Sequence, residues 1–467
     1  MDSRSYLSGK RVAVIGLART GAALAPVLVK AGACVTVYDR RHETELLAEA
    51  EAVRQAGARA VLGDGRYPGV EDADLVVPSP GVPADAPVLV AARRAGAEVV
   101  PEIEVAYLLS CAPIIAITGT NGKTTTTAMA AAMLSASGVR AHHGGNMAPG
   151  EPLIVLASRA APDDVIVAEV SSFQLELCTR FRPRVAVVTN ISQDHLNRHR
   201  TLEAYAAAKS RIFVAQQPGD LAITNAECPI SAGLSFVGRG RHVRFSALRE
   251  VDAGAWVRAG RIVLRLRNEE ELVSVDEMPL RGQHNVENAM AAAIAARAMG
   301  ATPDGIRAAL RSFRGVVHRM EEVCTAGDVL YINNSMCTNP EALRRSVEAC
   351  DRPVVLIAGG RNKSLDFRAA AARVAELVKG AVLIGEMAEE LADLLRGGGL
   401  ARVATARGME EAVSLATSMA SPGDAVMLAP GCASMDMYND FMERGEAFRA
   451  VALALPGAQP ICHGGCS

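Results

Sequence analysis

Apolar runs too short to be core helices recur along the chain, and most are followed by a stretch in which apolar residues return every third or fourth position. The stretch "RVAVIGLARTGAALAPVLVKAGACVTVYDR" reads as strand, glycine turn, helix and strand, with Asp39 at its end. "ADLVVPSPGV" and "AEVVPEIE" add further strands, which predicts a parallel, doubly wound sheet. "IIAITGTNGKTTTTAMAAAML", "DVIVAEV", "VAVVTN" and "LAITN" predict a second such sheet with helices between its strands. From about Ser235 to Val275 the pattern changes to strand-rich alternation, as in "RIVLRLRN", and predicts an antiparallel edge or small insert. "GQHNVENAMAAAIAARAMG" predicts a helix with a glycine stop. "PVVLIAGG", "GAVLIG" and "DAVMLAP", alternating with helical stretches, predict a third α/β unit. The fold class is therefore α/β with three modules in series, and the clefts between modules are the expected ligand sites.

The segment from Ile114 to Leu134 carries the sharpest chemistry. It runs strand, loop, helix, yet the common phosphate-loop pattern G-x-x-x-x-G-K-[ST] puts its first glycine on Ile117. Gly119 and Gly122 still let backbone N–H groups converge on an anion at a helix N-terminus. Lys123 can reach terminal phosphates, Thr124 is a suitable magnesium ligand, and Thr118 and Asn121 add polar groups. Glu169 closes a wholly apolar strand, where a carboxylate is costly unless it meets a cation. A third strand delivers Asp194 and His195 just past its end, and Lys209 follows on the next helix. Alone, His195 reads as a core histidine and Lys209 as a solvated lysine. Beside a phosphate loop and Glu169, the strand-end pair points to a magnesium site, with the imidazole marking a second, less conventional metal position.

Composition narrows the class. A chain of 467 residues exceeds a single core and fits about three domains. With 49 basic against 51 acidic residues, no global field draws nucleic acid or acidic lipid, so phosphate must be held by local groups. No apolar run reaches the ~18 residues needed to span a bilayer. The start of the chain lacks a secretory signal's apolar core, and ten scattered cysteines fit the reduced thiols of a cytoplasmic protein. Cys462, His463 and Cys466 lack an evident fourth metal ligand and read as a frayed tail. The turn Gly16-Leu17-Ala18-Arg19-Thr20-Gly21 is an imperfect dinucleotide fingerprint, so another nucleotide or a plain turn is as good a reading.

Together these segments resemble the Mur ligase family, ATP-dependent amide-forming enzymes of bacterial cell-wall synthesis. The chain carries the family's shorter phosphate loop at Thr118–Thr124. "GLARTG", "SPGV", "GGN", "EVSSFQLE", "DHLNRH", "GQHNVENA", "HRME", "KSLDF" and "CASMDMYNDFMERGEAF" occur in family order over essentially the whole length. "SSFQLE" and the C-terminal pattern are most similar to the D-glutamate-adding branch.

The resemblance implies a three-domain architecture: a Rossmann-like UDP-sugar domain (1–110), a central ATPase-like domain (111–316) and a C-terminal amino-acid domain (317–467). It implies that Gly16, Leu17, Ala18, Arg19, Thr20, Asp39, Arg40, Ser79, Gly81, Asn146, Ser171 and Gln174 hold the UDP-sugar. ATP falls to Gly119, Thr120, Asn121, Gly122, Lys123, Thr124, Thr125, Asn285, Asn288 and Arg319. Thr124, Glu169, His195 and Lys209 take two magnesium ions, with Lys123, Glu169, His195 and Lys209 as the catalytic set and Lys209 carbamylated as in relatives. Thr338, Lys363, Ser434 and Phe441 match the incoming amino acid's pocket. The implied partners are UDP-N-acetylmuramoyl-L-alanine and glutamate, joined through an acyl phosphate by a monomer that binds no nucleic acid.

One segment departs from that branch. "YINNSMCTNPEAL" has Asn334, Met336 and Cys337 where aspartate, lysine and alanine are expected, so two opposite charges are lost together. Gln193 and Asn197 also stand where acids are frequent. Two readings follow: a glutamate ligase with a compensated cleft, or a paralogue with another acceptor or amino acid. A partner that has lost catalysis is disfavoured by the intact Lys123, Thr124, Glu169, His195 and Lys209.

Overall fold

The computed structural model describes residues 6–147, 150–234, 237–362 and 365–461. Lys363 and the Cys462–Cys466 tail lie outside them. The chain divides into two compact units, Met1–Phe313 and Arg314–Ser467.

The first unit holds two sheets. The N-terminal one has five parallel strands in the order Arg59–Leu62, Cys34–Asp39, Arg11–Ile15, Leu75–Pro78, Glu98–Val99. Strand order turns outward in both directions from Arg11–Ile15, which puts the Gly16 turn at the switch point expected to hold a ligand. Val12 and Val14 pack on one face and Ala13 and Ile15 on the other, so a continuous apolar run is what a strand covered on both sides needs.

The second sheet has nine strands. Ile114–Thr118 lies between Val165–Glu169 and Val185–Val188, parallel to both, with Ile117 beside Glu169 and Thr118 beside Val188. The register brings the phosphate loop, Glu169 and the segment after Val188 to one edge. The region predicted as an antiparallel edge forms Arg241–Ser246, Gly254–Arg258, Arg261–Arg265 and Glu269–Ser274, of which the last three pair antiparallel. Helix Gln283–Ala298 packs on helix Lys123–Ala136. Small alanines on nearly every side let it be buried all round.

The second unit is a seven-stranded sheet. Val329–Asn333, Val354–Gly359, Val378–Ile384, Val403–Thr405 and Ala425–Gly431 run parallel, and Glu321–Ala326 and Gln459–Pro460 close one edge antiparallel. The α/β class predicted for all three modules is what the chain adopts.

Candidate active site

The phosphate loop is held open by glycine. Gly119 has φ of 152°, and a Cβ there would sit 1.9 Å from Thr189 Oγ1. Gly122, the N-cap of helix Lys123–Ala136, has φ of 82°, and its Cβ would lie 2.1 Å from Asn288 Oδ1. Both are positions where only glycine fits. The neighbouring strand end braces the loop: Asn121 N–H donates to Asn190 Oδ1 at 2.9 Å, and Thr189 Oγ1 donates to the Asn121 carbonyl at 2.6 Å. Lys123 Nζ donates to the Thr120 carbonyl at 2.8 Å. No acidic residue belongs to the first turn of helix Lys123–Ala136, so the helix dipole there favours an anion.

Behind the loop, Glu169 is buried at 4% exposure. Its Oε2 accepts from Thr124 Oγ1 at 2.6 Å and its Oε1 from Asn146 Nδ2 at 3.1 Å. Lys209, 1% exposed, donates to the Gly119 carbonyl at 2.8 Å and Thr118 Oγ1 at 3.3 Å, with its ammonium over the Tyr205 ring. Burial, and then the nearby Lys123 charge, pull the Lys209 pKa well below its ordinary value. His195 adopts φ of 51° and packs its ring 4.9 Å from that of Phe173. The ring is half-exposed rather than in the core, and partial desolvation, with the Lys123 and Lys209 charges, lowers its pKa against the opposing Asp194. The structure therefore gathers Lys123, Thr124, Glu169, His195 and Lys209 around one strand edge. Thr125 is half-buried on the first turn, and Asn288 bonds Thr126 Oγ1 and Asn285.

At the N-terminal sheet, Asp39 Oδ2 accepts from Leu17 N–H at 2.7 Å. Burial raises the Asp39 pKa, but the hydrogen bonds of Arg41 and Leu17 outweigh it and hold the carboxyl below its ordinary range. Arg41, not singled out from sequence, is the bidentate partner of Asp39, whereas Arg40 donates to Tyr67 Oη. Ser79 Oγ donates to the Gly16 carbonyl at 3.0 Å, and Ala18 caps helix Arg19–Lys30, which begins with Arg19 and Thr20. The Arg19 guanidinium crosses to the Met147 and Gly150 carbonyls. Ser171 and Gln174 form a reciprocal capping box on the short helix after Glu169. Arg198 reaches the Gly81 carbonyl at 3.4 Å.

In the second unit, the segments carrying Thr338, Ser434 and Phe441 are bound together. The Cys337 carbonyl accepts from Gly431 N–H at 2.9 Å. Ser335 Oγ donates to the Phe441 carbonyl at 2.6 Å. The fully buried Arg444 donates to Ser335 and to the Cys432 carbonyl, and burial pushes its pKa down to about 10. Arg319 lies between His318 and Met320, both with left-handed φ. Asn334 is satisfied as an amide: Nδ2 donates to Ser346 Oγ at 2.6 Å and Oδ1 accepts from Met320 N–H at 3.2 Å. The loss of an aspartate there leaves no unpaired polar atom on that side chain.

Sequence reasoning passed over Asn190, Tyr205 and Arg41. Asn190 had the same signal as Glu169, a polar residue at the end of an apolar strand, whereas Tyr205 and Arg41 had none.

A glycine-held loop at a helix N-terminus, a buried strand-end carboxylate beside it and a further α/β unit form the layout of an α/β ligase, and the comparisons identify the family. The Mur ligase middle domain matches residues 117–296, the Mur ligase glutamate ligase domain 318–432, and the Mur ligase MurD-like N-terminal domain 10–101. The chain belongs to the Mur ligase family. It is 46% identical over 449 residues to the UDP-N-acetylmuramoylalanine--D-glutamate ligase of Pelotomaculum thermopropionicum, covering 96% of this chain and 98% of that one. The enzyme of the same name from Geobacter metallireducens is 42% identical, with the same coverage. Among solved structures, MurC of Thermotoga maritima shares the fold with a TM-score of 0.53 at 20% identity over 94% of this chain and 98% of that one. MurF of Acinetobacter baumannii gives 0.56 at 18% identity over 76% and 81%. No helix among the described residues is long and apolar enough to cross a membrane.

Proposed function

We propose that this chain is an ATP-dependent ligase that adds D-glutamate to UDP-N-acetylmuramoyl-L-alanine. The observation that carries the reading is the pairing of an anion-cradling loop with the buried Glu169, which Thr124 and Asn146 hold in place. The relatives at 46% and 42% identity carry that activity in their names and favour D-glutamate over another amino acid. The domains divide at 1–110, 111–316 and 317–467, and the site roles follow the family positions. The enzyme acts as a cytoplasmic monomer, which gel filtration checks.

Glu169 and the Thr124 hydroxyl are hard oxygen donors and suit magnesium. When bound, magnesium neutralises charge on the phosphate oxygens. Among the described residues no three His, Cys, Asp or Glu side chains cluster as a metal site. A second ion beside His195 therefore needs Lys209 as a carbamate, which turns a cation into an oxygen ligand. Burial and purely neutral hydrogen-bond partners suit that change.

The amides of Gly119–Thr124 hold the phosphates, and Lys123 offsets repulsion as a carboxylate oxygen of the sugar nucleotide attacks the γ-phosphorus. The bond to ADP breaks and an acyl phosphate forms. The neutral amine of glutamate then attacks the acyl carbon, loses a proton, and phosphate leaves with the former carboxylate oxygen. The neutral amide of Asn334, satisfied within its own unit, is compatible with this chemistry. Phosphate release from ATP, magnesium and UDP-N-acetylmuramoyl-L-alanine should require D-glutamate. Release with L-glutamate alone would contradict the assignment.

A further inference from the structure

Glu102, at the start of helix Glu102–Leu109, is a buried carboxylate that the chemistry above does not use. Its Oε1 accepts from Ile154 N–H at 2.7 Å, while Oε2 is buried with no hydrogen-bond partner. It lines a cavity of about 10 Å³, room for about one water, together with Ser79, Phe173, Gln174 and Glu176. Ser79 and Gln174 are both assigned above to the sugar nucleotide. Gln174 Oε1 is committed to Ser171, accepting from its N–H and its hydroxyl at 3.0 Å each, which leaves the Gln174 NH2 to find an acceptor elsewhere. That amide approaches Glu102 closely enough to favour its charged form.

We infer that Glu102 positions Gln174, and through it the sugar-nucleotide pocket, by offering the Gln174 amide an acceptor when ionised and a competing donor when protonated. An ionised Oε2 accepts from the Gln174 NH2 and fixes both ends of that amide. A protonated Oε2 is a much weaker acceptor whose O–H competes for the same space, so Gln174 is held mainly by Ser171.

The surroundings place the switch near neutrality. Burial raises the Glu102 pKa to about 7, opposed by the Ile154 N–H, Gln174 and the Arg19 charge. The other charged groups nearby are committed: Glu176 pairs with Arg198, and Glu104 with Arg180. The Cys178 thiol, also close by, stays protonated because burial holds its pKa well above the ordinary value.

This inference rests on the proposed function for the identity of the ligand. It is tested by titrating the full chain with UDP-N-acetylmuramoyl-L-alanine in a calorimeter at pH 6, 7 and 8, beside steady-state KM and kcat. If the ligand needs ionised Glu102, its Kd should be about tenfold weaker at pH 6 than at pH 8, with proton release on binding at pH 7. The KM for ATP should not follow that profile. In Glu102→Gln, a neutral isostere, the profile and the proton release should vanish. Glu102→Asp, which keeps the carboxyl, should retain a pH dependence, and melting curves check that both variants fold. A profile that persists in Glu102→Gln, or a flat one in the parent, would overturn the inference while leaving the ligase reading intact. No binding of the sugar nucleotide at any pH would overturn both.

Discussion

The Thr124 hydroxyl donates to Glu169 Oε2 at 2.6 Å and ties the first turn of the phosphate-loop helix to the end of the neighbouring strand. A residue 45 positions earlier thus fixes the Glu169 carboxylate beside the Gly119–Thr124 loop. Replacing Thr124 by Val keeps the shape and removes the donor. A buried carboxylate short of one hydrogen bond costs about 1–3 kcal/mol. Thr124→Val should lower the melting temperature and reduce kcat at least tenfold, while Thr124→Ser retains most of both. Melting curves and steady-state kinetics measure the two effects.

Lys209 is buried among a carbonyl, a hydroxyl and an aromatic ring rather than beside a partner carboxylate. If it works as a carbamate, Lys209→Ala should lose activity by about 10²-fold or more and partly regain it with added short-chain carboxylic acids. Unchanged activity in that variant would remove Lys209 from the metal site.

Gly122 combines φ of 82° with a Cβ position 2.1 Å from Asn288 Oδ1. A side chain in left-handed backbone costs about 1–2 kcal/mol, and Asn288 must also move aside. Gly122→Ala should raise the KM for ATP more than the KM for the sugar nucleotide, which initial-rate measurements separate.

Glu102 also makes a stability prediction. Its pKa is about 7 when folded against an ordinary 4.5, so the folded chain keeps a proton that the unfolded chain has already released. The group's contribution is therefore fully present below about pH 4.5 and is lost as pH rises through about 7. The loss amounts to about 3 kcal/mol. Glu102→Gln should be more stable than the parent at pH 8, with the advantage shrinking by pH 5. Denaturant unfolding at the two pH values reads this directly.

How far the chain was legible follows from where its signals sit. The loop and Glu169 were readable because each falls at the end of an apolar strand, and parallel strands bring such ends to one side of the sheet; His195 follows the third such strand, past Val188. The edge strands after Arg241 were readable from period-two alternation. Glu102 was not, because "AEVVPEIE" reads as one strand, whereas the strand stops at Val99 and Glu102 opens a helix after Pro101. Tertiary packing, of helix Leu153–Arg159 and of the Ser172–Leu175 turn against Glu102–Leu109, buries it. Arg444 likewise reads as a surface arginine in "MERGEAF", yet it is 1% exposed and ties Ser335, far away in sequence, to the Cys432 carbonyl. Burial of a charged side chain depends on tertiary neighbours, and local pattern does not carry it.

In the proposed reaction the Gly119–Thr124 loop and Glu169 serve transfer of a phosphoryl group from ATP to a carboxylate. Sugar nucleotide labelled with oxygen-18 in its terminal carboxylate tests it. One labelled oxygen should appear in each phosphate released when D-glutamate is joined. Phosphate free of label, with product formed, would contradict it.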